Sequence, residues 1–163
     1  MRLLHKENIV GLSPSIATII RKEIDMKELI GKQIEKIFIN DAKNILVFET
    51  YDNERLAFCA AGKCCNTVWF NNINGIRSIR GFEGERVFNI LSRGLVLDVE
   101  HKGWTKLDDG DYEVLESCVV TIRTNKGYID LEVRNSHNGY YGGNIENYNE
   151  NGTEKLKVVD EDF

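Results

Sequence analysis

Two alternating runs, Leu115 to Thr124 and Tyr128 to Arg134, flank the turn signal Thr124-Asn125-Lys126-Gly127, and this arrangement constrains the chain more than any other stretch. Asn and Gly tolerate the positive φ angles of a tight two-residue connection, so the runs read as an antiparallel hairpin. On the second run Ile129, Leu131 and Val133 face one side, while Asp130, Glu132 and Arg134 face the other. A strand with one apolar and one charged face belongs to a sheet that covers a core on one side only.

Other segments repeat that logic. Ile34 to Asn40 and Asn44 to Thr50 are β-branched and aromatic runs separated by Asn40-Asp41, and Leu56, Phe58 and Ala60 alternate inward after the turn Tyr51-Asp52-Asn53-Glu54. Together they predict an antiparallel meander. Val68, Trp69, Ile73 and Ile76 fit neither period, which predicts a short helix or an irregular crossing segment. Val87 to Val99 reads as a strand bent at Gly94, with Leu95, Leu97 and Val99 opposed to Val96 and Asp98. His101 to Tyr112 reads as a polar loop turning at Asp108-Asp109-Gly110, and Val158-Val159 as an edge strand or a loosely held tail.

One helix is expected ahead of this body. Ser13-Pro14 is an N-cap followed by proline at the first helical position, and Ile16, Ile19, Ile20 and Ile24 recur at helical spacing. Asp25 and Glu28 suggest a capping box for a short turn from Met26 to Ile30, closed by Gly31. The expected class is therefore α+β: a single antiparallel sheet of meander and hairpins with an N-terminal helix packed beside it. The expected division is a helical extension over 1–25, a domain over 26–145 and a polar acidic segment over 146–163.

A chain of 163 residues, 42% hydrophobic and 29% charged, suits one globular domain with a real core. No run approaches a membrane span, and Met1-Arg2-Leu3-Leu4-His5-Lys6-Glu7 meets charge too early for a secretory signal, so a cytoplasmic protein is expected. The net charge of −5 disfavours direct nucleic-acid binding through a broad phosphate footprint. Arg77, Arg80, Arg86 and Arg93 could form a local basic strip, against the simpler reading of a solvated rim.

Cys59, Cys64, Cys65 and Cys118 lack the paired knuckles of a zinc site, and reduced structural thiols are expected. Cys64 or Cys65 with His137 is the candidate pair for a cysteine-dependent enzyme, although no known nucleophile signature surrounds them. His101 and His137 lack ligand spacing, Asp108, Asp109 and Asp111 lack the rest of a calcium loop, and no phosphate loop is present. No metal and no cofactor are expected.

Behind the hairpin comes Asn135-Ser136-His137-Asn138-Gly139-Tyr140-Tyr141-Gly142-Gly143, richer in glycine and aromatics than a plain turn needs. Either it plugs the end of the sheet or its side chains contact a ligand or partner. Trp104 and Tyr112 read as core or rim aromatics, and an exposed Trp69 beside the loop would extend a recognition patch.

Taken with Gly62-Lys63-Cys64-Cys65-Asn66-Thr67-Val68-Trp69-Phe70, that segment gives the chain a family resemblance. It resembles a group of small uncharacterised domains of bacteriophages and their hosts, which carry a Cys-Cys-x-x-x-Trp element and an Asn-Ser-x-Asn-Gly-Tyr-Tyr-Gly-Gly element. The similarity runs from Met26 to Ile145. Cys64, Cys65 and Trp69 fit the first element, and Asn135, Ser136, Asn138, Gly139, Tyr140, Tyr141, Gly142 and Gly143 the second. His137 stands where many members have serine, which weighs against a histidine-dependent mechanism.

The resemblance carries over no assigned activity; its phage context, with the acidic charge and the lack of a catalytic signature, leads to the expectation of a non-enzymatic phage accessory protein that binds and inhibits a host protein or protein complex, such as an antiviral defence factor. The expected binding residues are Cys64, Cys65, Trp69, Asn135, Ser136, His137, Asn138, Tyr140 and Tyr141. The alternatives are a small-ligand binder, such as a sponge for a nucleotide signal stacked on the aromatics, and the cysteine-dependent enzyme. A homodimer through a sheet edge or the isoleucine stripe is compatible with each.

Overall fold

A computed structural model describes residues 25–63, 65–76, 79–80, 86–87, 94–110, 113–139, 142–160 and 162–163. Its strands are β1 (Gln33–Asn40), β2 (Ile45–Thr50), β3 (Arg55–Ala61), β4 (Asn66–Asn74), β5 (Ile79–Arg80), β6 (Arg86–Val87), β7 (Gly94–Asp109), β8 (Val114–Thr124), β9 (Gly127–His137), β10 (Asn144–Asn147) and β11 (Leu156–Val158). Nine of them form one antiparallel sheet in the order β10-β3-β2-β1-β7-β8-β9-β4, with β11 added to β1, while β5 and β6 pair separately. Arg80 and Arg86 sit opposite each other in that small pair, whereas Arg77 and Arg93 lie outside the described residues.

The expected α+β class is corrected to all-β. Among the described residues the only helical element is the 3-10 turn Lys27–Leu29, and no α-helix packs beside the sheet. The helix expected over Ser13 to Ile24 lies outside the described residues. At the turn, the Asp25 carboxylate accepts the Lys27 N–H at 3.0 Å, but Glu28 accepts from Asn147 instead of closing a capping box. Gly31 has φ +83°, as a helix-terminating glycine requires.

Two further corrections share one cause, the β-bulge. β4 is a strand and not a helix or irregular segment: its register shifts between Phe70 and Asn72, so Val68, Phe70 and Ile73 all face inward despite their unequal spacing. The expected loop over His101 to Tyr112 is strand as far as Asp109, because β7 runs for 16 residues. Register shifts at Val96/Asp98, His101/Trp104 and Lys106/Asp108 erase its alternation. They also place Val96 and Val99 in the core and leave Leu95 and Leu97 exposed, which reverses the expected facing at Val96.

The hairpin behaves as expected. Thr124 pairs with Gly127, and the ladder continues in register to Val114 and His137. Ile129, Leu131 and Val133 are fully buried, as are Phe48 and Phe58, whose rings meet edge to face at 5.9 Å. One hydrophobic cluster unites the inward rows of both halves of the sheet, so the strands curl around a common core.

That curl brings the outer edge of β4 against distant backbone. Phe70 N–H donates to the Lys43 carbonyl at 2.8 Å, and Ile73 and Phe163 exchange two backbone hydrogen bonds of 2.9 and 3.1 Å. The Asp162 carboxylate accepts the Ile76 N–H at 2.8 Å, and the Lys43 ammonium stands 5.0 Å from the Phe163 ring centre. The terminal segment is thus held to the sheet, with β11 as the edge strand that was one of its two expected forms. Gly75 ends β4 with φ +98°, and a Cβ there would fall 2.3 Å from the Tyr128 carbonyl oxygen.

Candidate functional site

The inward rows of β4, β8 and β9 change chemistry at one end of the sheet. On β9 the row Ile129, Leu131, Val133 continues as Asn135 and His137; on β8, Val120 and Cys118 lead to Glu116; on β4, Phe70 and Val68 lead to Asn66. The strand period turns these polar side chains toward the same interior as the apolar ones. Asn135 is 0%, Glu116 3% and His137 6% exposed. A buried carboxylate is tolerable only when other groups replace its lost hydration.

Asn135 Nδ2 donates to Glu116 Oε1 at 2.9 Å. Asn66 Nδ2 donates to Asn135 Oδ1 at 3.1 Å and to the Gly142 carbonyl at 3.3 Å, while Asn66 Oδ1 accepts the Lys63 N–H. His137 Nδ1 accepts the Gly139 N–H at 2.9 Å. An Nδ1 that accepts leaves the neutral ring's proton on Nε2. Nε2 lies 3.3 Å from Glu116 Oε1, off the line of a formed hydrogen bond, so the two groups attract electrostatically. Gly143 closes the layer, and a Cβ on it would lie 3.0 Å from both Asn135 Cβ and Trp104 Cη2. That is closer than ordinary van der Waals contact, so a side chain there would require Asn135 or Trp104 to give by a few tenths of an ångström.

The structure therefore joins the two sequence elements. Asn66, beside Cys65, is bonded to Asn135 and to the Gly142 backbone, and it pairs across the strands with His137. The other expected binding residues are dispersed around this junction. Cys65, Asn138 and Gly139 are exposed at the same end. Cys64, Tyr140 and Tyr141 lie outside the described residues.

Trp69 and Ser136 point to the opposite face of the sheet. The Trp69 indole donates to Asn71 Oδ1 at 3.2 Å, Asn71 Nδ2 donates to Glu132 Oε1 at 2.6 Å, and Arg134 Nε donates to the same oxygen at 2.8 Å. The Ser136 hydroxyl donates to Glu113. A half-buried tryptophan here forms part of a polar outer surface, separated from Asn135 by the thickness of the sheet.

Among the described cysteines, Cys118 is buried, Cys59 half-buried and Cys65 exposed. Burial, helped by Glu146, holds the Cys59 thiol above its ordinary pKa, which suppresses its thiolate. His101 lies on β7 opposite Val120, well along the strand from His137. Among the described residues no three His, Cys, Asp or Glu side chains are grouped to hold a metal ion. No helix among them is long and apolar enough to cross a membrane.

Sequence reasoning did not assign Glu116 or Asn66 to the site, and it read Trp104 only as a core or rim aromatic, which its partly buried place against the core bears out. A signal for Glu116 existed: stepping the hairpin register back from the Thr124–Gly127 turn sets it opposite Asn135. Trp104 carried none, because two bulges separate it from the readable part of β7.

The chain belongs to the family described as Domain of unknown function (DUF7448), whose model matches residues 27–147. No curated protein and no solved structure matches it.

Proposed function

We propose that this member of the family is a non-enzymatic phage accessory protein that binds a host protein and inhibits it, an antiviral defence complex being the target class. The two elements, Cys64-Cys65 with Trp69 and Asn135 to Gly143, are read as the family's signature, and their junction as its binding end. One observation carries this reading. Asn66, Asn135 and Glu116 are hydrogen-bonded in series, Asn66 also bonds the backbone of Lys63 and Gly142, and His137 Nδ1 accepts the Gly139 N–H, so residues 62, 63 and 65 are held beside 138, 139, 142 and 143. Pre-ordered segments with exposed polar tips suit a protein partner, because little ordering entropy is lost on docking.

The test is affinity purification of the full chain from host cells, with proteins and small molecules both read by mass spectrometry. A protein recovered near one-to-one, and lost with Cys65→Arg/Asn138→Arg at unchanged thermal stability, supports the proposal. Absence of any stoichiometric protein overturns it. A co-purifying nucleotide without a protein would overturn it in favour of ligand sequestration, and an activity abolished by thiol alkylation in favour of a cysteine enzyme.

A further inference from the structure

At the opposite end of the β8–β9 hairpin lies an exposed apolar patch with no part in the polar layer. Leu95 is fixed there, its N–H donating to Asn125 Oδ1 at 2.9 Å and its carbonyl accepting the Asn125 N–H at 3.1 Å. Across the sheet it pairs with Gln33, whose carbonyl accepts the Tyr51 N–H at 3.1 Å. Leu97 is 55%, Ile30 40%, Tyr51 39% and Leu95 38% exposed. Leu95 and Leu97 are exposed on either side of buried Val96, and Leu95, Tyr51 and Asp52 line one shallow depression with Gly31, Lys32 and Gln33. Large apolar side chains gathered this way mark an interaction surface more often than isolated ones do.

Charge decides the occupant. Among the described residues the cation lining the depression is Lys32, which pairs with Glu54 at 2.6 Å. Asp52 accepts the Thr50 hydroxyl, which holds its carboxyl below the usual range and keeps it anionic. Asp98 follows Leu97 directly, and Lys27 on the nearby turn is offset by Asp25 and Glu28. The chain as a whole carries a net charge of −5. A second copy would bring like charges together, and an anionic lipid surface or a nucleic acid would be repelled.

We propose that this patch is a docking surface for a basic amphipathic segment of a partner protein, the apolar side chains receiving its apolar stripe and the carboxylates its lysines or arginines. This surface is separate from the polar-layer end and stands whether or not that end binds. The probe is a fluorescent Leu–Lys peptide of about five helical turns, titrated against the full chain by anisotropy, with a Leu–Glu peptide of the same pattern as control. The expected result is saturable binding of the Leu–Lys peptide, at least about tenfold weaker with Tyr51→Ser/Leu97→Ser, and no binding of the Leu–Glu peptide. Both substitutions are at exposed positions, and an unchanged melting temperature verifies the fold. Equal affinity of wild type and variant would overturn the proposal by showing diffuse charge attraction. So would binding of anionic vesicles through the same residues, or a wild-type dimer that Leu97→Ser dissociates.

Discussion

Asn66 on β4 and Asn135 on β9 share a 3.1 Å side-chain hydrogen bond although 69 positions separate them in the chain. The same Asn66 amide reaches the carbonyl of Gly142, 76 positions away. Through one short side chain, the strand that opens the first sequence element is tied to both ends of the second.

Asn135→Ala removes the donor to buried Glu116 and the acceptor for Asn66. Loss of a donor to a buried carboxylate is the costlier of the two, so destabilisation of about 2–4 kcal/mol is expected by urea denaturation. Asn135→Asp sets a second carboxylate beside Glu116. Its destabilisation should be larger at neutral pH and shrink as the pH falls and the pair takes up a proton.

Three glycines should rank in a fixed order when changed to alanine. Gly75→Ala combines φ +98° with a Cβ 2.3 Å from backbone oxygen and should cost about 3–4 kcal/mol. Gly143→Ala meets Asn135 and Trp104 at 3.0 Å and should cost about 1–3 kcal/mol through overpacking. Gly103, at φ +77° with nothing within 4 Å, carries only conformational strain, about 1 kcal/mol. Chemical denaturation of the three variants measures the order.

Much of this was readable in the chain, and the unread parts have physical reasons. The Asn125-Lys126 turn fixes a register that runs unbroken to Val114 and His137, so the hairpin and its inward row were legible. Residues 68 and 69 are neighbours on a strand and must face opposite ways, so the separation of Trp69 from the core followed once β4 was known to be a strand. That β4 and the second half of β7 are strands was hidden by their bulges. The Asn66 junction was illegible for a different reason: it depends on how the whole sheet curls, which no local pattern encodes.

Glu154 provides a pH test. The Tyr148 hydroxyl donates to it at 2.5 Å and the Asn151 N–H at 2.9 Å, and these hold its pKa at about 2, below the ordinary 4.5. A depressed carboxylate pKa contributes stability that is present above 4.5 and lost as the pH falls toward 2. An NMR titration should place the Glu154 carboxyl midpoint near 2, and Tyr148→Phe should raise it.

The terminal segment should behave as a clasp. Deleting residues 162 and 163 removes two backbone bonds to Ile73 and the side-chain acceptor for Ile76 N–H, and should cost about 2–4 kcal/mol. Phe163→Ala keeps the backbone bonds but loses the ring beneath the Lys43 ammonium and its packing on the core, so a smaller loss is expected. Thermal melts of both variants give the comparison.

The most direct measurement of the central claim is a double-mutant cycle on Asn66→Ala and Asn135→Ala, read as unfolding free energy. If the two elements form one bonded layer, the residues should couple by about 1–2 kcal/mol. Additivity within roughly 0.5 kcal/mol would contradict it, because the elements would then be adjacent without holding each other.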